Sequence, residues 1–502
     1  AAPSNTGRPG PSSMFTPSNV QLAANPAGSL DELKSLGVDT VHLYMHWADI
    51  APDAGAFTRP HFDATDPAAY PATGWANYDA IIRDAKARGM GVNLDVVAPP
   101  PNWAEGKGAP DRAAHPYWRP NDAELGQWVT AVGRRYSGHY TPAGASSPLP
   151  RVSSWSVWNE PNLGIELAPE VIPHTQIEVS GTLYRDIVDA SWRALHATGH
   201  GGDQILIGEI DPAGATFPGA PGLFGAMAPL RFLRAVYCVD ASYQPLKGSA
   251  AQQRGCPGKP NASAFVAAHP GLFHASGFAD HPYTQGLPPN EPTPHEPDYA
   301  ELAGIGGLET ALDRLQHAYG SSAKFPIWST EYGYQTTPPD TEAGTVSPAK
   351  AALYLNWSEY ITWLNPRLRS YDQFLMTDST AGNFATGLRF PNGSEKPGYA
   401  AFRMPLYLPR TSGAKGDALE VWGCVRPSHD AQQTSHRRQH VKIQFAPASG
   451  GSFKTVKTVL LTGPHGYFDL QQHFSGSGRV RLSWAYPHGP TVFSRTVDIT
   501  LH

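Results

Sequence analysis

Short apolar runs rich in β-branched residues alternate with segments of helical spacing along the chain up to residue 408. The apolar runs are typical of buried strands and lie at residues 40–45, 91–97, 154–158, 205–208, 277–280, 327–330 and 370–376, with a weaker run at 14–15. The helical segments lie between them, at residues 30–36, 78–88, 122–136, 183–196, 229–237, 308–319 and 349–364. Eight such alternations predict an α/β fold, the (β/α)8 or TIM barrel, for residues 1–408.

The pattern changes after residue 408. Residues 418–502 contain runs that alternate apolar and polar positions, such as V-K-I-Q-F at 441–445, with Gly and Pro turns between them and no helical period. This pattern predicts an antiparallel β-sandwich domain for residues 409–502. Such a domain either packs on the barrel as a structural companion or binds carbohydrate, and the sequence contains no evident row of exposed aromatic residues to favour binding.

Much of the remaining length lies after predicted strands, at residues 99–118, 162–179, 211–223 and 283–299, in segments rich in Pro, Gly, His and aromatic residues. In a barrel of parallel strands, the loops that follow the strands build the active-site face. These insertions therefore predict a pocket or cleft at that face.

The composition and charge of the chain limit the classes of partner that we expect it to bind. The 38 Lys and Arg residues nearly balance the 43 Asp and Glu residues, and no dense basic stretch predicts a nucleic-acid partner. No run of about 18 apolar residues predicts a membrane span. The polar start without an initiator Met, A-A-P-S-N-T-G, is typical of a secreted protein whose signal peptide has been removed. The sequence does not predict an oligomeric state.

The chain has three cysteines. Cys238 and Cys256 flank a segment rich in Ser, Gln and Gly, so they either form a disulfide that closes a short loop or, with Cys424, remain reduced. No CxxC pair predicts a zinc site, and no motif for an organic cofactor is present.

Two glutamates follow apolar strands. The first is Glu160 in the segment W-S-V-W-N-E-P-N, residues 155–162, and the second is Glu331 in P-I-W-S-T-E-Y-G-Y, residues 326–334. Both are expected at the mouth of the barrel, where barrel enzymes carry their catalytic groups. Hydrolysis of a glycosidic bond needs a proton donor at the leaving oxygen and a carboxylate at the anomeric carbon. An inter-strand salt bridge is the alternative role for either glutamate.

Asn-Glu-Pro at the end of a fourth strand, with a second Glu at the end of a seventh, resembles clan A of the glycoside hydrolases, with family 39 the first placement and family 5 the next. The resemblance covers the barrel portion. It implies that Glu160 is the general acid/base, that Glu331 is the nucleophile, and that Asn159 binds the 2-hydroxyl of the sugar. It implies neither a metal nor a cofactor.

The same resemblance extends to residues around the predicted site. His281 and Tyr283 end the sixth strand as a His-x-Tyr pair, which implies that Tyr283 donates a hydrogen bond to Glu331 and that His281 contacts the sugar or Glu160. Trp47, which follows His46, and Trp103, in P-N-W at 101–103, either belong to the core or contact sugar.

Trp328 and His46 are further candidates for substrate binding. The chain also departs from the clan. His42 stands where an Arg is common on the second strand, and no Trp ends the eighth strand, for which Phe384 is a candidate replacement.

Glu209 and Asp211 follow the fifth strand, and the sequence favours a surface role over hydroxyl binding for both. The sequence thus predicts a retaining glycoside hydrolase that is exo-acting on plant or microbial glycans, with carboxyl groups about 5–5.5 Å apart. Its partner is an oligosaccharide, polysaccharide or glycoside. The alternatives are an endo-acting glycanase, a transglycosylase, and a carbohydrate-binding protein on a barrel that has lost its activity.

Overall fold

A computed structural model describes residues 8–112 and 117–502 and contains a closed barrel of eight parallel strands. The strands are β1 (Ser12–Thr16), β2 (Thr40–His46), β3 (Gly91–Val97), β4 (Ser154–Val157), β5 (Gln204–Ile210), β6 (Gly277–Asp280), β7 (Ile327–Ser329) and β8 (Leu368–Phe374). Each strand pairs with the next, and β1 closes the barrel by pairing with β8 from Ser12↔Ser370 to Thr16↔Phe374. The predicted (β/α)8 barrel is confirmed.

Helices cover the outside of the barrel and connect its strands. They are α1 (Asn19–Ala24), α2 (Pro26–Ser35), α3 (Trp47–Ile50), α4 (Ala72–Ala87), α5 (Asp122–Arg135), α6 (Ser180–Ala197), α7 (Pro229–Val236), α8 (Gly248–Gln252), α9 (Ala262–Ala268), α10 (Gly271–His274), α11 (Ile305–His317), α12 (Pro348–Leu364) and α13 (Pro397–Arg403). The start of α12 shows how sequence sets a boundary. Ser347 accepts a hydrogen bond from the Lys350 N–H, and Pro348 occupies the first turn, where no N–H is needed.

A disulfide joins Cys238 to Cys256. Of the two alternatives that the sequence left open, the disulfide is therefore the correct one. The bond closes the loop that contains α8, and the guanidinium of Arg185 on α6 lies 3.0 Å from the Cys238 sulfur. Cys424 is free and buried. Within the described ranges, no helix combines the length and apolar character needed to cross a bilayer.

The C-terminal part of the chain forms two sheets, as the pattern of residues 418–502 predicts. Their strands are β9 (Leu406–Tyr407), β10 (Ser412–Gly413), β11 (Ala418–Cys424), β12 (His440–Pro447), β13 (Lys454–Leu460), β14 (Tyr467–His473), β15 (Gly478–Trp484), β16 (Val492–Phe493) and β17 (Val497–Leu501). One sheet has the order β10-β17-β15-β12-β13, with β16 beside β15, and the other has the order β14-β11-β9. The pairings are antiparallel except that of β10 with β17.

One element of this region differs from the prediction. A helix, α14 (Ser428–Ser435), lies where the sequence shows no helical period. Its segment, S-H-D-A-Q-Q-T-S, has no apolar stripe, and only Ser428 and Ala431 are buried. Such a helix is held by its place in the fold rather than by an amphipathic pattern.

An ion pair connects the barrel to the sandwich. Glu359 on α12 accepts hydrogen bonds of 2.7 Å at both carboxylate oxygens from Nη2 of Arg426, which follows β11. The hydroxyl of Tyr467 on β14 donates a third hydrogen bond, 2.6 Å long, to Glu359. All three side chains are buried. The pair therefore lies out of water, where its geometry matters more than that of a surface pair.

Candidate active site

Glu160 lies three residues beyond the end of β4, on a backbone held in the left-handed region. Its φ is +40° and that of Trp158 is +69°, values that non-glycine residues rarely adopt. The N–H of Glu160 donates a 2.7 Å hydrogen bond to the carbonyl of Glu209, and the indole N–H of Trp158 donates to the carbonyl of Glu166 at 3.0 Å. Such strain persists only where the surroundings hold it, and it is concentrated at functional sites.

Glu331 lies two residues beyond β7 and is 6% exposed. The hydroxyl of Tyr283 donates a 2.9 Å hydrogen bond to its Oε2, and the hydroxyl of Tyr44 donates to its Oε1. Two donors on opposite oxygens fix the orientation of the carboxylate and stabilise its charged form.

The structure brings Glu160, His281 and Glu331 together. One carboxylate oxygen of each glutamate and a ring nitrogen of His281 all lie within 4.8 Å of one another. Nδ1 of His281 is 2.9 Å from Oε1 of Glu160 and 3.7 Å from Oε2 of Glu331. The two carboxylates therefore face each other across a short gap, with an imidazole beside both.

Burial and the nearby charge of Glu160 raise the pKa of Glu331 to about 7, although His281, Tyr44 and Tyr283 favour its ionised form. Burial alone would lower the pKa of His281, but the charge of Glu331 and the hydrogen bonds to Glu160 and Glu209 raise it well above its usual value. Carboxylate oxygens 2.9 Å from both ring nitrogens thus favour the doubly protonated form of His281.

A cleft of about 1100 Å³ opens over the two carboxylates. Its walls include His46 and Asn159 from the predicted set, together with Tyr44, Phe374 and Phe384. The Phe384 ring meets Tyr283 and Phe374 edge to face, with centroids 5.3 and 5.7 Å apart. Asn159 accepts a 3.3 Å hydrogen bond from the hydroxyl of Tyr44.

Three predicted aromatic contacts do not line the cleft. Trp47 is fully buried and stacks on Trp128 with centroids 5.3 Å apart, so its ring has no free face for a sugar. Trp103 packs edge-on against Trp47 and donates its indole N–H to a backbone carbonyl. Trp328 lies against Gly277 of the neighbouring strand. For Trp47 and Trp103, the structure favours the core role over the subsite role.

His42 also lies away from the cleft, in the barrel interior. It is fully buried, and its Nδ1 is 2.6 Å from Oδ1 of Asn93. Burial lowers its pKa and favours the neutral ring. It therefore supports the residues beneath the site instead of touching substrate.

The surface role predicted for Glu209 and Asp211 is wrong. Glu209 is fully buried, and its Oε2 is 2.9 Å from Nε2 of His281. Asp211 lines the cleft, as does Glu166, which the sequence did not indicate. Burial and the charge of Glu160 raise the pKa of both Asp211 and Glu166 to about 8.

Tyr44 was also missed from the sequence, although a signal for it existed. In a strand, residues two apart share a face, so His42, Tyr44 and His46 on β2 all point into the barrel. The apolar run at 40–45 concealed this alternation, because its tyrosine is also an ordinary strand residue.

Within residues 8–112 and 117–502, two groups of side chains come close enough to share a cation. They are Glu160, His281 and Glu331, and His42, Asp95 and Glu209. A metal-bound imidazole must give up its proton at the metal-binding nitrogen, whereas the carboxylates beside both nitrogens of His281 favour the protonated ring. The first group is therefore organised for acid–base chemistry.

No protein-family model and no curated protein matches the sequence. The structure is similar to solved glycosidases at low identity. A glucosidase from Croceicoccus marinus is 13% identical, with 98% of each chain covered and a TM-score of 0.49. A family 39 glycoside hydrolase from Bacteroides cellulosilyticus is 14% identical, with 93% of this chain and 82% of that chain covered and a TM-score of 0.47. An endo-β-1,4-mannanase from Thermotoga petrophila is 12% identical, with 99% and 98% covered and a TM-score of 0.40.

Proposed function

We propose that the protein is a retaining glycoside hydrolase in which Glu160 is the general acid/base and Glu331 is the nucleophile. The observation that carries the proposal is the short distance between the two carboxylates, with oxygens within 4.8 Å, at the floor of a cleft. Retaining enzymes place their carboxyl groups about 5–5.5 Å apart, whereas inverting enzymes leave about 6.5–9.5 Å for a water molecule.

The surroundings of the two glutamates differ in the way that a double-displacement mechanism requires. Glu331 accepts hydrogen bonds from two tyrosines, which favour the carboxylate that attacks the anomeric carbon. Glu160 has the single contact with His281 and is more open to the cleft, with 16% of its side chain exposed. It protonates the leaving oxygen in the first step and deprotonates the attacking water in the second.

Other residues of the cleft have roles in holding the sugar. Asn159, beside Glu160, is assigned to the 2-hydroxyl, whose hydrogen bond strengthens in the transition state. Phe384 is 38% exposed and offers an apolar face in place of the missing tryptophan of the eighth strand. The cleft volume of about 1100 Å³ lies at the upper end for small-molecule sites and has room for the end of an oligosaccharide.

We further propose exo-action on plant or microbial glycans, because the long loops after the strands wall the cleft. Such substrates lie outside the cell. The disulfide between Cys238 and Cys256 supports secretion, since these bonds persist in oxidising compartments.

The test is hydrolysis of a panel of aryl glycosides by the parent enzyme and by Glu331→Gln and Glu160→Ala. We expect Glu331→Gln to lose activity and Glu160→Ala to lose about 10²–10⁴-fold, with azide restoring turnover of the second variant. Glu170→Gln is the control, because Glu170 is buried and bonds Ser180 away from the cleft. The assignment fails if Glu331→Gln cleaves as fast as the parent.

NMR of the first-formed sugar then separates the mechanisms. A product with the anomeric configuration of the substrate supports retention, and the opposite configuration contradicts it. Added sugar acceptors distinguish a transglycosylase, which forms new glycosides in preference to hydrolysis. A protein that binds glycans and cleaves none of the panel would be the non-catalytic alternative.

A further inference from the structure

Glu209 contacts both segments that carry the proposed catalytic residues, although it is not among the residues that line the cleft. Its main-chain carbonyl accepts the 2.7 Å hydrogen bond from the N–H of Glu160. Its side-chain Oε2 accepts a 2.6 Å hydrogen bond from the hydroxyl of Thr330, the residue before Glu331. One residue of β5 thus contacts both segments that carry the catalytic carboxylates.

A β-bulge directs the Glu209 side chain into the barrel. In the pairing of β5 with β6, Gly208 faces Ala279 and Ile210 faces Asp280, so Glu209 is the extra residue. Its φ is +49° and that of Gly208 is +112°. Bulges of this kind re-aim a side chain and are frequent beside active sites.

His281 joins Glu209 to the catalytic pair. Its Nε2 is 2.9 Å from Oε2 of Glu209, and its Nδ1 is 2.9 Å from Oε1 of Glu160. A ring that donates from both nitrogens to carboxylates is an imidazolium. Because the ring is fully buried, that positive charge needs a buried negative partner.

We propose that Glu209 is a positioning residue whose negative charge keeps His281 an imidazolium between Glu160 and Glu331. The inference rests on the proposed glycosidase function of that pair. A positive charge at this place offsets the repulsion between two close carboxylates and favours the ionised form of the nucleophile Glu331. Burial alone would raise the pKa of Glu209, but the neighbouring histidine side chains and hydrogen bonds hold it below its usual value, which agrees with this role.

Other titratable groups face the same cluster from each adjoining strand. Burial raises the pKa of Asp95, Asp280 and Asp372 well above the usual range and lowers that of His42, and in each case it favours the uncharged form. The remaining groups are the hydroxyls of Tyr44 and Tyr283 and the carboxyls of Asp211 and Glu166. Beside the proposed catalytic pair, His281 and Glu209 are the two groups whose surroundings favour the charged form.

The first test compares pH profiles of kcat/KM for the parent, Glu209→Gln and the control Glu170→Gln. Gln keeps an oxygen that can accept from His281 and removes only the charge. We expect both limbs of the Glu209→Gln profile to move upward by about one pH unit, because a favourable charge next to the carboxylates is lost. Glu170→Gln should retain the parent profile. A Glu209→Gln profile that superimposes on that of the parent would overturn the proposal.

The second test does not need turnover. In protein labelled with ¹⁵N-histidine, with the His281 signals assigned by their loss in His281→Gln, both ring nitrogens should have imidazolium shifts at pH 8. The ring of Glu209→Gln should be neutral there. A neutral His281 in the parent overturns the proposal even if Glu209→Gln does not fold. A parent enzyme that cleaves no glycoside but has a protonated His281 contradicts the glycosidase function alone.

Discussion

The hydroxyl of Tyr283 donates a 2.9 Å hydrogen bond to Oε2 of Glu331, and Tyr44 occupies the opposite oxygen of the same carboxylate. The two tyrosines come from β2 and from the segment after β6, on different sides of the barrel. Together they set the plane of the carboxylate. In the proposed mechanism, the anomeric carbon approaches Glu331 from the direction that these two contacts leave open.

Tyr283→Phe should lower kcat/KM about 10–100-fold, since a hydrogen bond to a charged group contributes about 1.5–3 kcal/mol. Steady-state kinetics with an aryl glycoside measure the effect. Tyr334→Phe is the matched control, because Tyr334 also lines the cleft but donates to the carbonyl of Leu287. Equal losses in the two variants would contradict a specific role for the contact with Glu331.

The pH dependence of kcat/KM should show a basic limb near pH 7. The pKa of Glu331 is raised to about 7 beside Glu160, so the pair shares one proton below that pH and loses it above. Loss of the proton removes the general acid, and kcat/KM should fall about tenfold per pH unit above the limb.

A substrate with a leaving group that needs no protonation provides the control for this limb. With a 2,4-dinitrophenyl glycoside, the basic limb should be absent, because glycosylation no longer requires Glu160 to be protonated. An unchanged limb with this substrate would show that the titrating group is not the general acid.

The cleft should discriminate against anionic sugars. Its walls contain Glu160, Glu166, Asp211 and Glu331, and no Lys or Arg lines it among the residues whose structure is described. A uronide should be cleaved less efficiently than the neutral glycoside of the same ring, and the ratio should reach at least about 100-fold above pH 8, where Glu166 and Asp211 are ionised, because like charges brought together cost several kcal/mol. Matched aryl glucosides and glucuronides, or the corresponding pair for whichever sugar is preferred, measure the ratio. Comparable efficiency on both would contradict the prediction.

Arg426→Met should destabilise the protein by about 3–5 kcal/mol, since it leaves Glu359 buried without its cation. Denaturant unfolding measures the change. The control is Arg410→Ala, which removes an exposed ion pair with Asp417 and should cost about 1 kcal/mol or less. Adding Glu359→Leu to Arg426→Met should recover part of the loss, and no recovery would contradict an unpaired charge as its cause.

The barrel was predictable because its strands carry local signals. β3 and β6 begin and end where the sequence places them, since each starts at a glycine and continues as an apolar run. β5 extends to Ile210, two residues beyond its predicted end, because Gly208 followed by Glu209 is typical of a strand end and here forms a bulge.

The support around the catalytic pair depends on contacts that no local pattern contains. Glu209 is buried because its partner His281 lies 72 positions along the chain. Trp47 belongs to the core because Trp128 stacks on its ring. The sequence alone cannot tell whether a tryptophan ring packs against another side chain or against a sugar. The sequence alone predicted that Glu160 and Glu331 lie at the same rim, because the ends of parallel barrel strands meet there whatever the loops do.

Gly208 limits how far this site can be altered by mutation. A Cβ there would lie 2.5 Å from the carbonyl oxygen of Ala279, and the backbone has a φ of +112°, so both space and conformation require glycine. Substitutions confined to the residues that line the cleft walls can alter which sugar the site accepts and leave Glu209 and His281 in place. A substitution at Gly208, which is not among the residues that line the cleft, should displace Glu209 and with it the proposed positioning of His281 in every such variant.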